Sequence, residues 1–179
     1  FKNNLENIGI NNVIFGSENN FSFKLEKKFK ISHFKIDSKI DLQKLTYKKK
    51  TKSLRTIIPN YNDSVELIDH KIELLFKKKK LLLKGNGNFS IGEKIDKINY
   101  EIKFNDDKYI FKSNIELNNI PLQIKTLNYT KKENKNSSLN IEGSYKKNQN
   151  IYFKNILSKE SENNFRINGL NLSQNYKIN

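Results

Sequence analysis

YEIKFNDDKYIFKSNIELNNIPLQI, residues 100–124, is the stretch of sequence that decides the fold. Apolar side chains alternate with polar or charged ones in runs that an Asn-Asp-Asp triplet and an Asn-Asn pair interrupt. Because successive side chains of a strand point to opposite faces, this period of two predicts half-buried strands. Short Asn and Asp breaks between such runs are typical of hairpin turns. The stretch therefore predicts an antiparallel meander with one apolar and one polar face.

The same alternation extends over most of the chain. It is visible from Phe21 to Leu25, is followed by a predicted tight turn at Lys27-Lys28, and changes phase at Ser32-His33, which predicts a β-bulge. Residues 63–79 fit either a capped helix or a hairpin, and the neighbouring strands favour the hairpin. Later strands are predicted at 81–91, 95–104, 108–117, 120–129, 137–145, 150–157 and 164–172. Regular strands without a long helix indicate an all-β protein.

The length of 179 residues suits one domain or one section of a longer protein. The chain begins at Phe1 and ends on a strand-like run, so we expect residues 1–179 to be a single segment of a larger repetitive β-groove protein. Pro59 interrupts the alternation, because proline cannot donate a ladder hydrogen bond. Residues 53–62 are therefore predicted to form a short helical turn or loop, with a possible break there. A membrane anchor is expected outside this segment.

The net charge of +15 comes almost wholly from lysine, since Arg55 and Arg166 are the only arginines. Arginine is the better residue for bidentate recognition of phosphates and bases. Most lysines fall at alternating strand positions or in turns, which favours a solvated face, then a surface for anionic lipid headgroups, over a nucleic-acid site. We expect no nucleic-acid partner.

Residues with catalytic or metal-binding potential do not form a recognisable constellation. The chain has no cysteine, and its two histidines, His33 and His70, lack a partner at metal-ligand spacing. Asp106-Asp107 has the character of a turn, and Gly85-Asn86-Gly87 lacks the Lys-Ser/Thr of a phosphate-binding loop. We therefore expect no enzyme activity, no metal and no cofactor.

A weak repeat, [Leu/Phe]-x-[Leu/Ile]-x-Gly, occurs at Leu81–Gly85, Leu139–Gly143 and Phe165–Gly169. In each copy the glycine is in phase with the apolar face, where glycine weakens a strand but permits bending or close approach. The repeat is either a coincidence in a strand-rich chain or the mark of a curved sheet with glycine at its bends.

Three coverings of the apolar face are physically possible. A second layer of the same sheet would make a sandwich or closed barrel, a bilayer would surround an outer-membrane barrel, and a bound lipid would fill an open groove. Several predicted strands are short for a membrane barrel, and the aromatic residues are not confined to two girdles. The bulky Ile, Leu, Phe and Tyr residues of the face suit a sandwich core and an acyl-chain groove equally.

Residues 85–172 resemble the AsmA-like superfamily, in particular its YhdP-like (TamB/YhdP-type) branch of envelope proteins. The resemblance lies in GNGNFSIGEKIDKINYEI (85–102), FKSNIELNNIPLQIKTLNY (111–129), LNIEGSY (139–145) and NNFRINGLNLSQNYKI (163–178). Its most specific part is the Leu-Asn-Asn-x-Pro-Leu hairpin at 117–122. HKIELLFKKKKLLLKGNGNF (70–89) is also similar to a Gly-x-Gly hairpin of the family. Asn119 stands where relatives carry glycine beside the hairpin proline.

The resemblance implies a long twisted antiparallel meander rolled into an open groove. It further implies a protein anchored in the inner membrane that crosses the periplasm of a Gram-negative bacterium and carries phospholipid acyl chains between the inner and outer membranes. The expected lipid-binding residues share the apolar phase of the predicted strands. They are Ile98, Tyr100, Ile102, Phe104, Tyr109, Phe111, Ile115, Leu117, Leu122, Ile124, Leu139, Ile141, Ile151 and Phe153. The alternative is a structural or adhesive β-domain with a closed core and no lipid transport.

Overall fold

The fold is all-β and is dominated by one nine-stranded antiparallel sheet. The computed structural model describes residues 6–48, 52–105, 107–125, 128–146 and 149–173. The strands are β1 (Ile10–Leu25), β2 (Ile31–Lys48), β3 (Ser64–Lys77), β4 (Lys80–Ile91), β5 (Lys94–Asn105), β6 (Lys108–Glu116), β7 (Leu122–Ile124), β8 (Tyr129–Lys131), β9 (Ser137–Lys146), β10 (Ile151–Glu160) and β11 (Asn163–Leu172). The main sheet runs β1-β2-β3-β4-β5-β6-β9-β10-β11, so β1 and β11 are its edges and the sheet is open. The predicted open antiparallel meander is confirmed.

Tight turns of lysine, glycine and aspartate join the strands. The β3–β4 hairpin turns through Lys78 and Lys79, whose φ angles of 50° and 63° are those that two-residue hairpin turns require. The hairpin interpretation of residues 63–79 is therefore confirmed and the helix alternative is wrong. A 3-10 turn at Lys27–Phe29 links β1 to β2, as predicted, and the short helix α1 (Lys52–Ile57) precedes Pro59. Asp106, Lys49, Lys50 and the predicted strand at the C-terminus lie outside the described residues.

Strand register places apolar side chains on one face of the whole sheet, which we call the apolar face. In the central strands Ile102 pairs with Leu83 on one side and with Phe111 on the other. Because residues directly opposite each other in a ladder point to the same side, these three residues share a face. The pairs Phe76↔Leu81, Ile72↔Ile40 and Ile156↔Ile167 extend the face towards both edges.

The opposite face, which we call the polar face, carries a ladder of alternating charge. Six residues on six adjacent strands pair in sequence: Lys39, Glu73, Lys84, Glu101, Lys112 and Glu142. Nζ of Lys84 lies 3.7 Å from a carboxylate oxygen of Glu101, and Nζ of Lys112 lies 3.4 Å from one of Glu142. Hydrogen bonds from Lys103 and Lys154 lower the pKa values of Glu101 and Glu142 respectively. Many of the lysines therefore stand beside carboxylates on a solvated face.

Where the alternation of apolar residues changes phase within a strand, a bulge returns them to the same face of the sheet. The bulge predicted at Ser32-His33 is present, since the β1–β2 register shifts there and His33 has a φ of 54°. A second bulge in β3 at Asp69, with a φ of 53°, restores His70 and Ile72 to the apolar face. In β10 the register with β9 shifts between Phe153 and Asn155. Gly169, with a φ of 70°, lies opposite this shift in β11. Each extra residue reverses the alternation that follows it.

Two of the three repeat glycines lie under aromatic rings. A Cβ atom on Gly85 would stand 2.3 Å from Cζ of Tyr100, the residue paired with it, and one on Gly143 would stand 2.7 Å from Cζ of Phe111. Covering a strand glycine with the ring of a paired residue stabilises an otherwise weak position. Close approach therefore accounts for the first two copies of the repeat.

The prediction of a strand over residues 120–129 is wrong. The described residues of this range, 117–125 and 128–136, leave the sheet between β6 and β9 and form a separate lobe, in which β7 and β8 pair only with each other. The physical reason is that Ile120 turns inward and is buried, with 1% of its surface exposed, instead of alternating. Leu122 and Ile124 belong to this lobe and not to the main sheet.

We predict that the Gly143→Ala substitution destabilises the protein by about 1–3 kcal/mol, as overpacking generally does. The new methyl group would stand 2.5 Å from the carbonyl oxygen of Tyr152 and would also meet the Phe111 ring. Gly16→Ala is the matched control, because nothing lies within 4 Å of its added Cβ. Urea unfolding measures both variants. Equal stability of the two would contradict the close-approach explanation.

Candidate functional site

A small cap covers one end of the apolar face. Its buried residues come from two segments outside the main sheet: Ile58 and Tyr61 follow α1, while Leu117 and Ile120 belong to the lobe. They surround Phe89 of β4, which is also buried. Half-buried side chains of β3, β4, β5, β6 and β9 pack against this cluster. At this end, therefore, protein covers the apolar face.

Asp96 holds the lobe on the sheet. It lies on the apolar face opposite Phe89, and only 4% of it is exposed. Its Oδ1 accepts hydrogen bonds from the backbone N–H groups of Asn118 and Asn119, each at 3.1 Å, and its Oδ2 accepts one from the N–H of Ile120 at 3.1 Å. A buried carboxylate is stable only when its charge is satisfied in this manner.

Lys131 binds the carbonyl groups of the same loop. Its Nζ is buried and donates hydrogen bonds to the carbonyl oxygens of Asn118 at 3.3 Å, Ile120 at 2.9 Å and Lys132 at 3.0 Å. Burial lowers the pKa of Lys131, while the carboxylate of Asp96 opposes that shift. The segment 118–120 thus donates its N–H groups to an anion and directs two carbonyls at a cation.

Tyr129 connects the lobe to the far side of the sheet. Its hydroxyl donates a hydrogen bond to the carboxylate of Glu160 at the end of β10. Burial, followed by this hydrogen bond and the nearby negative charge, raises the pKa of Tyr129 to about 12. Lys135 approaches the same carboxylate at 3.9 Å. The lobe is therefore anchored at both Asp96 and Glu160.

A polar pair interrupts the apolar face at its middle. His70 is fully buried, and its Nδ1 lies 3.1 Å from the hydroxyl oxygen of Tyr100 while its Nε2 lies 2.8 Å from the carbonyl oxygen of Asn88. Both ring nitrogens thus have a partner. Gly87 leaves space for the imidazole, because a Cβ there would stand 2.4 Å from Cδ2 of His70. The histidine is a satisfied structural residue, and burial raises the pKa of Tyr100.

Beyond this pair, aromatic side chains cover the end of the apolar face away from the cap. The rings of Phe104 and Tyr109 lie 4.7 Å apart between centroids, and those of Tyr109 and Tyr145 lie 6.2 Å apart. Phe111 meets Phe153 edge to face, with centroids 5.8 Å apart. Neither the helix nor the lobe contributes to these ring contacts. We call this part, away from the cap, the open end.

The structure divides the fourteen expected lipid-binding residues into three groups. Those packed in the capped cluster are Ile98, Ile115, Leu117, Leu122 and Leu139. Ile124 lies in β7 of the lobe. The remaining eight lie on the sheet away from the cap: Tyr100, Ile102, Phe104, Tyr109, Phe111, Ile141, Ile151 and Phe153. These eight are accompanied by residues of β3 and β4 that the sequence argument did not select, although Ile72, Leu74 and Leu83 alternate in the same phase.

The cavities of the polar face have a different character. One of about 590 Å³ is lined chiefly by lysine, glutamate and asparagine side chains of β3 to β10. Four of these asparagines form a row across adjacent strands: Asn86, Asn99, Asn114 and Asn140. Such a lining suits water and ions better than an apolar ligand.

The sequence argument missed the polar residues that shape the site. Asp96 stands in the apolar phase two residues before Ile98, and a carboxylate in that phase was the available signal. Lys131 carried no comparable signal, because it is one of many lysines in the chain.

The chain was compared with protein-family models, with curated proteins and with solved structures, and none of them matches it. No helix in the described part of the chain is long and apolar enough to cross a membrane.

We predict that Asp96→Asn destabilises the protein by about 2–4 kcal/mol, since a buried acceptor of several N–H groups loses its charge. Asp41→Asn is the control, because Asp41 forms an exposed ion pair with Lys71 at 2.6 Å, and exposed pairs contribute about 0–1 kcal/mol. Urea unfolding measures both. A cost for Asp96→Asn no larger than for the control would refute the anchoring role.

The raised pKa of Tyr129 predicts that the free energy of unfolding depends on pH. The folded protein keeps the phenol proton up to about pH 12, whereas the unfolded chain releases it near the ordinary value of 10.0. Its contribution to stability is fully present below pH 10 and is lost as the pH rises towards 12. Tyr129→Phe should flatten the fall in unfolding free energy over this window. Tyr152→Phe, at an exposed position, should leave the fall unchanged, and identical profiles for both variants would contradict the assignment.

Proposed function

We propose that this chain is a section of a lipid-conducting β-groove of the AsmA-like type, and that phospholipid acyl chains lie across the uncapped part of its apolar face. In this proposal the protein works in the periplasm, between the inner and outer membranes, and the lipid headgroups remain in solvent. It performs no chemical step. Its eight uncapped candidate residues bury acyl chains without recognising a particular lipid.

One observation carries the proposal: the apolar face extends across all nine strands, with a polar interruption at His70 and Tyr100, while the cap covers only one end of it. Among the described residues only Leu42, Ile58, Tyr61, Phe89, Leu117 and Ile120 are buried apolar side chains. The other apolar side chains of this face are half-buried or exposed. An apolar surface of this extent in water usually marks a binding surface.

The energetics of acyl-chain transfer suit a surface of this kind. A 16-carbon chain gains about 12 kcal/mol from complete burial, at about 0.8 kcal/mol per methylene. A conduit must therefore offer nearly continuous apolar contact, or the chain would stop at each gap. Nine strands spaced by about 4.8 Å extend over roughly 40 Å, which exceeds the length of one acyl chain.

The chemistry of the face suits a ligand without directional demands. Its lining is mostly aliphatic and aromatic, with Ser113 beside the central polar pair. That pair, His70 and Tyr100, is occupied by its own hydrogen bonds. The two buried charged groups beside the cap, Asp96 and Lys131, form hydrogen bonds with the backbone of the lobe. An acyl chain would meet no unsatisfied donor or acceptor at the His70–Tyr100 pair or at Asp96 and Lys131.

We predict that phospholipid co-purifies with the chain when it is prepared without detergent, and that Ile102→Asp combined with Phe111→Asp removes it. These paired residues lie at the centre of the apolar face. Leu82→Asp combined with Ile110→Asp is the matched control, because it places two carboxylates on the polar face beside Lys103. Native mass spectrometry with lipid extraction counts the lipids.

Thermal unfolding by circular dichroism must show that both double variants fold. Loss of lipid in the apolar-face variant alone is the expected result. A folded, lipid-free parent protein would contradict lipid carriage and favour a structural β-domain. Equal loss in both variants would contradict the assignment to the apolar face.

A further inference from the structure

We propose that the tip of the β1–β2 hairpin, residues 22–34, is a membrane-docking element that inserts into a bilayer containing anionic phospholipids. The proposal rests on the hairpin alone. It holds whether or not the apolar face carries acyl chains, because insertion of a tip and burial of a lipid use different residues.

The hairpin protrudes beyond the rest of the sheet. β2 pairs with β3 only from Lys35 onward, where it meets Lys77, the last residue of β3. Residues 31–34 of β2 and their partners in β1 therefore extend past the last paired residue of β3. Four residues at about 3.3 Å each carry the tip roughly 13 Å outward, before the turn itself is counted. This depth is comparable to the interfacial layer that peripheral elements enter.

Apolar side chains crowd the protruding part. Phe29 lies in the turn with 86% of its surface exposed, and Phe23, Leu25 and Ile31 are each more than half exposed. Phe34 lies at the base of the projection, where its ring meets that of Phe76 in β3 with centroids 6.3 Å apart. Single exposed apolar residues are ordinary, but a cluster of four on one projection marks an interaction site.

Lysines surround this apolar cluster. The stretch from Phe21 to Ile36 contains five lysines and a single acidic residue, Glu26. Lys27 and Lys28 lie in the turn beside Phe29, and Lys30 follows it. Lysines at this depth can extend their ammonium groups to lipid phosphates while their methylenes remain in the apolar layer. Aromatic tips flanked by lysine are typical of surfaces that bind anionic membranes.

The charge distribution favours a bilayer over a protein as the occupant. The apolar residues Phe23, Leu25 and Ile31 share one side of the hairpin, and Phe29 extends from its end, so the cluster faces two directions. An added strand would cover the edge of β1 but not the end of the turn. A bilayer surrounds a projection on every side and supplies the negative charge that the lysines complement.

The test uses tryptophan fluorescence, because the chain contains no tryptophan. A Phe29→Trp variant is titrated with vesicles of phosphatidylcholine, with and without phosphatidylglycerol. We expect its emission to shift to shorter wavelength, and to be quenched by brominated acyl chains, with the anionic vesicles. A Phe165→Trp variant is the matched control. Phe165 is an exposed edge-strand aromatic near the β10–β11 turn, at the other end of the sheet, and its emission should not move.

Charge variants separate docking from general attraction. Replacing Lys27, Lys28 and Lys30 with Glu should weaken vesicle partitioning about a hundredfold, from the contribution of each lysine near an anionic surface. Replacing Lys39, Lys97 and Lys159 with Glu changes the net charge equally, but these exposed lysines lie on the polar face away from the tip. We expect a much smaller loss, because electrostatic attraction decays within about 10 Å.

Several results would overturn the proposal. They are unchanged emission of the Phe29→Trp variant with anionic vesicles, equal shifts for both tryptophan variants, or equal losses for both lysine sets. A shift that appears without vesicles and grows with protein concentration would assign the tip to a second copy of the chain and would also overturn it. Lipid co-purification is measured separately, so failure of docking and failure of acyl-chain carriage are distinguishable.

Discussion

The constraint on which the structure depends is that nine strands must keep their apolar residues on one face. A strand that gains one residue reverses every side chain beyond it, so each irregularity has to be compensated. The left-handed residues His33, Asp69 and Gly169 mark places where this compensation is made. They allow residues of different strands, such as the pairs Ile40↔Ile72 and Ile102↔Phe111, to share one face of the sheet. Without these bulges the apolar face would be divided into patches, each too small to hold an extended ligand.

A second constraint decides which part of that face is free. Asp96 and Lys131 are buried charges, and each is satisfied by the backbone of the same short loop. They hold Ile120 and Leu117 against Phe89, which closes the capped end with a small core. Because burying a charge without partners is strongly unfavourable, the cap and the two charged residues stabilise one another. Among the described residues no equivalent pair of buried charges lies at the open end, where aromatic rings cover the sheet instead.

The alternation of residues 100–124 was enough to predict the all-β class, the hairpin between β5 and β6 and the phase of the apolar face, because a period of two has one structural meaning. The bulge at His33 was predictable for the same reason. The hairpin turn predicted at Asn118-Asn119 was wrong, because the chain leaves the sheet there and enters the lobe. The lobe was not predictable, because Leu117, Ile120, Leu122 and Ile124 have spacings compatible with a strand, and only the long-range contact with Asp96 withdraws them from the sheet. The sequence did not reveal which candidate residues are capped and which are open, since the cap and the sheet use the same kinds of apolar residues.

Site-specific photo-crosslinking tests the central claim most directly. A photoreactive phenylalanine analogue is placed either at Phe111, on the apolar face, or at Ile110, its neighbour in β6 on the polar face. The protein is then illuminated with native lipids present, and adducts are identified by mass spectrometry. The account predicts phospholipid adducts at position 111, attached through acyl carbons, and none at position 110. Equal adducts at both positions, or none at 111 in a folded protein, would contradict it.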